Sequence, residues 1–108
     1  MNQFTINLNQ GSVSFNFSQE AAQKLRQEIN LLIQSLKDNA QTGAKPSAKK
    51  AMEYQHTGEV FLEVFCNPNI YPSPFAAKVL ITIRDERLRV TSEAELTRLI
   101  EDLEQYLQ

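Results

Sequence analysis

The chain has one cysteine and one histidine, Cys66 and His56, residue types that pair as nucleophile and base in many enzymes. The two residues lie in segments of different character, and no third group that would orient the histidine is indicated. A free cysteine on an apolar strand face is usually a small buried side chain, and a single cysteine can complete neither an internal disulfide nor a structural zinc site. The sequence therefore predicts no catalytic, cofactor-binding or metal-binding residue, and a protein that is not an enzyme.

Carboxylates near the C-terminus offer a second kind of chemistry. Paired carboxylates act as acid and base only where their surroundings separate their pKa values, and an exposed helix face does not do so. We therefore expect these groups to be solvated charges, some of them paired with Arg98. They are Glu93, Glu95, Glu101, Asp102 and Glu104.

Cations beside aromatic residues form a third pattern, which predicts a surface on one side of a sheet. Cations and rings on an open sheet are typical of platforms for single-stranded nucleic acid. The net charge of −2 and the pI of about 5.4 make the chain a poor general binder of nucleic acid, so this function is the alternative. A further interpretation is that Glu63 and the C-terminal carboxylates neutralise the cations. The residues concerned are Lys78, Arg84, Arg87, Arg89, Phe61 and Phe65.

An excess of apolar strand surface points to association with protein. In residues 59–66, Phe61 and Phe65 lie on the face opposite Leu62. Two helices cover one face of a sheet, so we expect a second copy of the chain, or another protein, to shield the opposite face. Ile70 and Tyr71 either border that surface or fold back onto the core edge. The candidate interaction surface comprises Phe61, Phe65, Ile70, Tyr71, Leu80, Arg84, Arg87 and Arg89.

The elements that position these residues begin with a hairpin and a helix. Apolar residues alternate with polar ones in both arms of the hairpin, at Phe4, Ile6 and Leu8 and at Val13, Phe15 and Phe17. A two-residue turn at Gln10 and Gly11 pairs Leu8 with Val13, Ile6 with Phe15 and Phe4 with Phe17. Ser18 then predicts the N-cap of an amphipathic helix of about five turns.

The middle of the chain predicts a connection, a strand and a loop. Residues 38–58 lack periodicity and read as a long polar connection, with a short helical turn at 48–54 as one option. Residues 59–66 are rich in β-branched and aromatic residues and predict a strand. Residues 67–74 include three prolines and predict a stiff, extended crossing.

The last third predicts a second hairpin and a second helix. A turn at Asp85 and Glu86 pairs Ile83 with Leu88, although the absence of glycine leaves a longer loop open. Ser92 and Glu95 have the spacing of a capping box, which predicts a helix from this point to the C-terminus.

Together these elements predict an α+β domain spanning residues 1–108, of order β-β-α-β-β-β-α. Its antiparallel sheet consists of two hairpins and one further strand. Both helices pack on the face carrying Ile6, Phe15, Val79 and Ile81.

Composition and the N-terminal residues predict the compartment. The chain is 42% hydrophobic and 22% charged, which is typical of globular domains. No apolar stretch approaches the length of a membrane span, and residues 1–4 show no start of a secretion signal. We therefore expect a cytoplasmic protein with no membrane partner.

Overall fold

The computed structural model describes residues 2–42 and 49–108, which form an α+β fold as predicted. Its strands lie in two antiparallel sheets and not in the single sheet predicted, because β1 and β2 pair only with each other, in the order β1-β2, while β3 joins the other strands in the order β3-β4-β5-β6. Helices α1 and α2 cover one face of the larger sheet. The bounds are β1 Gln3–Asn7, β2 Ser12–Asn16, α1 Gln19–Thr42, β3 Met52–Thr57, β4 Phe61–Cys66, a 3₁₀ turn Pro68–Ile70, β5 Lys78–Arg84, β6 Arg89–Glu95 and α2 Leu96–Leu107.

The first hairpin forms, but the predicted register is wrong by two residues. Phe4 pairs with Phe15, and Ile6 pairs with Val13. The loop closes one residue earlier than predicted, where the N–H of Leu8 donates to the carbonyl of Gly11 at 2.9 Å. Gly11 ends the loop with φ of +85°, a conformation that glycine adopts without steric cost. Because a shift of two residues preserves the alternation, the apolar side chains still share one face.

The second hairpin forms with a loop of residues 85–88, which is longer than a two-residue turn and is the alternative suggested by the absence of glycine. Ile83 pairs with Val90 and not with Leu88. One carboxylate oxygen of Asp85 accepts the backbone N–H groups of Arg87 and Leu88, both at 2.8 Å, and thereby sets the turn one residue later than predicted. These hydrogen bonds to the ionised carboxylate lower the pKa of Asp85. Leu88 consequently lies in the loop and is 64% exposed.

Helix α1 begins as predicted and ends later. The Ser18 hydroxyl accepts the N–H of Ala21 at 3.1 Å, which confirms the N-cap. The helix continues to Thr42, about five residues past the predicted end. Its core-facing stripe is buried and comprises Ala22, Leu25, Ile29, Leu32 and Leu36.

The predicted connection at 38–58 is shorter than expected, because its two ends are helix and strand. Residues 38–42 belong to α1, and Met52–Thr57 form β3, which pairs with β4 along its full length. Met52 and Tyr54 are buried on the core side, while Glu53 and Gln55 point outward. This alternation is that of a half-buried strand, so the optional helical turn at 48–54 is wrong from Met52 onward. Residues 43–48 lie outside the described residues.

The capping box predicted at Ser92 and Glu95 is wrong, because β6 continues through both residues. Ser92 pairs with Ile81, and Ala94 pairs with Val79. Pairing with β5 provides this strand with ladder hydrogen bonds and buries Ala94, both of which a helix that began at Ser92 would forfeit. Helix α2 therefore begins at Leu96, whose N–H donates to the carbonyl of Ala77 at 3.1 Å.

The loop after β4 is folded and not extended as predicted. The side chain of Asn67 accepts the N–H of Asn69 at 3.1 Å and caps the turn Pro68–Ile70. Pro68 occupies the first position of this turn, where its fixed φ suits helical geometry and its missing N–H costs nothing.

Asp102 is an exception to the prediction that the C-terminal carboxylates are solvated. Its side chain is buried and joins α2 to β1. One oxygen accepts the backbone N–H of Asn7 and the other accepts the Asn7 side-chain amide, both at 2.8 Å. The guanidinium of Arg98 lies 3.5 Å away as the predicted ion-pair partner. This carboxylate therefore anchors the first hairpin to the last helix.

Candidate interaction surface

The face of the four-stranded sheet that points away from the helices is called the outer face below. Its side chains are those that alternate with the core residues of β3 to β6. Strand pairing arranges them in rows across the sheet. The turn row is Thr57, Phe61, Arg84 and Arg89; the middle row is Gln55, Glu63, Thr82 and Thr91; the loop row is Glu53, Phe65, Leu80 and Glu93.

At the turn end of the outer face, cations gather around an aromatic ring. The guanidinium carbon of Arg84 lies 4.3 Å from the centre of the Phe61 ring, a cation–π contact. Arg89 is the cross-strand partner of Arg84. Arg87 is exposed in the adjoining loop at 85–88, outside the rows. The structure thus places two of the three candidate arginines on the sheet and the third at its rim.

At the loop end, apolar side chains border a shallow depression of about 220 Å³. Phe65 and Leu80 contribute from adjacent strands, and Ile70 and Tyr71 contribute from the proline-containing loop. Leu80 is 41% exposed and Ile70 is 66% exposed. Tyr71 instead packs partly against the core, and its burial, with Cys66 and Glu93 nearby, raises its pKa. Ile70 therefore borders the surface, whereas Tyr71 folds back onto the edge of the core.

Charge is unevenly distributed along the strands of the outer face. Arg84 and Arg89 stand in the turn row, whereas Glu53 and Glu93 stand at the two sides of the loop row. Beyond the loop row, Lys78 is the cross-strand partner of Glu95. Within residues 2–39 and 49–108, the ion pairs join Arg26 to Glu104, Lys49 to Asp38 and Arg98 to Asp102. None of these pairs neutralises the turn row, contrary to the interpretation that Glu63 and the C-terminal carboxylates do so.

His56 and Cys66 lie far apart. Cys66 in β4 pairs with Met52 in β3. His56 lies four residues further along β3, about 13 Å from Met52. The Cys66 thiol is buried, which raises its pKa to about 11. His56 packs edge-on against the ring of Phe17, with 5.2 Å between ring centres. The described residues include no cluster of three or more metal-ligating side chains.

Two residues of the loop row, Glu53 and Glu93, were not recognised from the sequence as part of this surface. Glu53 lies in β3, and its signal was the alternation of Met52 and Tyr54 with polar neighbours. The capping-box spacing at Ser92 and Glu95 predicts Glu93 in the last helix, whereas the structure has Glu93 in β6. Both carboxylates change the charge pattern of the surface.

The chain matches no known protein-family model, no curated protein and no solved structure. Neither α1 nor α2, the helices in the described part of the chain, is long and apolar enough to cross a membrane.

Proposed function

We propose that this protein is a non-catalytic interaction module of the cytoplasm, which binds protein through its outer face. The observation that supports this function best is the apolar group formed by Phe65, Ile70 and Leu80 at the loop end. The opposite face of the sheet is covered by the protein's own helices, whereas in the described chain Leu80 and Ile70 are exposed and Phe65 is only half-buried.

The composition of the surface favours a protein partner. Apolar side chains next to charges of both signs, as at the loop end, are typical of protein interfaces. The framework also favours binding, since β4 and β5 are each hydrogen-bonded on both sides. Side chains held on such strands lose little further freedom on association, which lowers the entropic cost of binding.

Single-stranded nucleic acid is the alternative ligand, and the turn row favours it. Arg84, Arg87 and Arg89 supply positive charge beside Phe61. The Arg84 guanidinium, however, already occupies one face of that ring, which a stacked base would need. Glu53 and Glu93 would repel phosphates at the other end of the surface. We therefore favour protein over nucleic acid as the ligand.

The experiment that tests the proposal replaces Leu80 with a photo-crosslinking amino acid in the cells that produce this chain. The matched control places the same group at Glu101, which is exposed on α2. We expect protein crosslinks from position 80 that are absent from position 101. Equal protein crosslinking at both positions, or none at either, would refute the proposal.

The nucleic acid alternative is tested by titrating short single-stranded oligonucleotides at two salt concentrations. Binding through the turn row requires an affinity that falls as salt rises and that drops in Arg89→Glu. Absence of binding at low salt removes this alternative. Salt-sensitive binding that Arg89→Glu abolishes, together with crosslinks from position 80 to nucleic acid, would replace the protein-binding proposal.

A further inference from the structure

Resting on the proposed function, we infer that the outer face binds a second copy of this chain, related by a two-fold axis that runs across the strands along the middle row. The inference depends on three properties of the outer face: its apolar pairs, the order of its rows and the uneven distribution of its charge.

The charge pattern selects between two ways of stacking the sheets. Two copies placed face to face are related by an axis in the plane between them. If that axis ran along the strands, β6 would lie over the partner's β3 and each row would lie on the same row of the partner. Glu93 would then face Glu53, and the arginines of both copies would share one row. An axis that crosses the strands instead places each turn row on the partner's loop row, so Arg89 faces Glu93.

The same rotation brings the apolar side chains of the two copies together. It places Phe61 of one copy over Phe65 of the other, and Arg84 over Leu80. Stacked sheets lie about 10 Å apart, a distance that two facing phenylalanines span. Each contact occurs twice because the interface is two-fold symmetric. Every large side chain of the turn row thus meets an apolar or oppositely charged residue.

The middle row sets a limit on affinity. The axis brings the two Glu63 side chains opposite each other, and each is held by a hydrogen bond from the side-chain amide of Gln55 at 3.0 Å. Like charges at this position weaken association, so Glu63→Gln is expected to tighten the dimer. The outer face of four strands is about 19 Å wide, and seven residues span about 23 Å, so the dimer would bury roughly 900 Å² in total, an area typical of weak, transient interfaces. We therefore expect dissociation in the micromolar range.

Sedimentation velocity of the purified chain over about three decades of concentration tests the inference. The wild-type protein is expected to change from monomer to dimer with rising concentration. Arg89→Glu and Glu93→Arg are each expected to raise the dissociation constant about tenfold, because each places like charges opposite each other. Lys24→Glu and Glu101→Arg, exposed on the helices, are the matched controls and should leave the constant unchanged. Circular dichroism verifies that every variant is folded.

Mixing the two variants identifies the axis. In the mixed dimer, Glu at position 89 faces Arg at position 93, and the wild-type Glu93 faces the wild-type Arg89, so both contacts are attractive. We expect the equimolar mixture to dimerise nearly as well as the wild type. Each variant alone should dimerise more weakly than the mixture.

The possible failures are distinguishable. A wild-type chain that stays monomeric up to about millimolar concentration overturns self-association, yet crosslinks from position 80 to a different protein would leave the proposed function standing. A wild-type dimer whose two variants do not complement each other in the mixture overturns this axis. A dimer that Glu63→Gln weakens would also contradict the geometry.

Discussion

Replacement of Asp102 by alanine is predicted to destabilise the protein far more than any other loss of a C-terminal carboxylate. Asp102 is buried and accepts two hydrogen bonds from Asn7, which lies 95 residues away in the sequence. A hydrogen bond to a charged acceptor contributes about 1.5–3 kcal/mol, and a donor left buried without a partner costs a similar amount. The Asn7 side chain can turn to water, whereas its backbone N–H is fixed in β1. We therefore expect Asp102→Ala to lower the free energy of unfolding by about 2–4 kcal/mol.

Urea denaturation monitored by far-ultraviolet circular dichroism measures this change. Glu101→Ala is the control, because Glu101 is the exposed neighbour of Asp102 on α2, and its removal should change the free energy by less than about 0.5 kcal/mol. Asn7→Ala removes only the side-chain hydrogen bond and should cost about 1 kcal/mol.

The double variant carrying both Asn7→Ala and Asp102→Ala isolates the contact. Its destabilisation should be smaller than the sum of the two single effects, because the side-chain hydrogen bond can be lost only once. Amide hydrogen exchange should show faster exchange at Asn7 in Asp102→Ala. Two observations would refute the reasoning: a cost for Asp102→Ala that equals that of Glu101→Ala, or additivity of the two substitutions within about 0.3 kcal/mol.

Three further predictions concern the first hairpin, the first helix and the core. Ser18→Ala should lower the free energy of unfolding by about 1 kcal/mol, because the N–H of Ala21 loses its acceptor. Gly11→Ala should lower it by about 1 kcal/mol through backbone strain alone, because φ is +85° and an added Cβ would meet nothing within 4 Å. Burial raises the pKa of the Cys66 thiol to about 11, so its contribution to stability is complete below pH 9 and is lost as pH rises from 9 to 11. Urea midpoints of the Cys66→Ala variant should therefore fall less steeply than those of the wild type over this range.

Each of these has a control and an opposing result. Gln19→Ala, at an exposed position of the first helical turn, should leave stability nearly unchanged, and an equal loss there would contradict the role of Ser18. Gly11→Asn should recover part of the loss in Gly11→Ala, since asparagine tolerates positive φ better than alanine does. Burial also raises the pKa of Tyr54, to about 12, so Tyr54→Phe should alter the pH dependence at a higher pH than Cys66→Ala. Identical pH profiles for wild type and Cys66→Ala would contradict the role of the thiol.

The parts of the fold that followed from the sequence are those that depend on local pattern. Alternation in both hairpins placed Phe4, Ile6 and Ile81 on core faces, and the structure buries all three. Ser18 predicted its helix start because a cap acts within a single turn. The outward orientation of Phe61 and Phe65 likewise followed from the alternation within one strand.

The parts that did not follow involve competition between local signals and distant partners. The registers predicted for both hairpins were wrong by two residues. Alternation of apolar and polar residues excludes a shift by one residue but not a shift by two. The actual step was selected by the conformation of Gly11 in one loop and by the hydrogen bonds of Asp85 in the other. At Ser92, a local capping signal yielded to strand pairing with β5.

The sequence by itself determined the α+β class, the identity of the buried faces and the scarcity of residues suited to catalysis, since each depends on residue types and short-range periodicity. Only the tertiary structure decided that Asp102 anchors β1 and that β3 completes the larger sheet. It also decided that Glu53 and Glu93 lie at the end of the outer face remote from the arginines. These features depend on contacts between segments far apart in the chain. They are stabilised by burial and hydrogen bonding that arise only when these segments come together, so the local sequence pattern does not predict them.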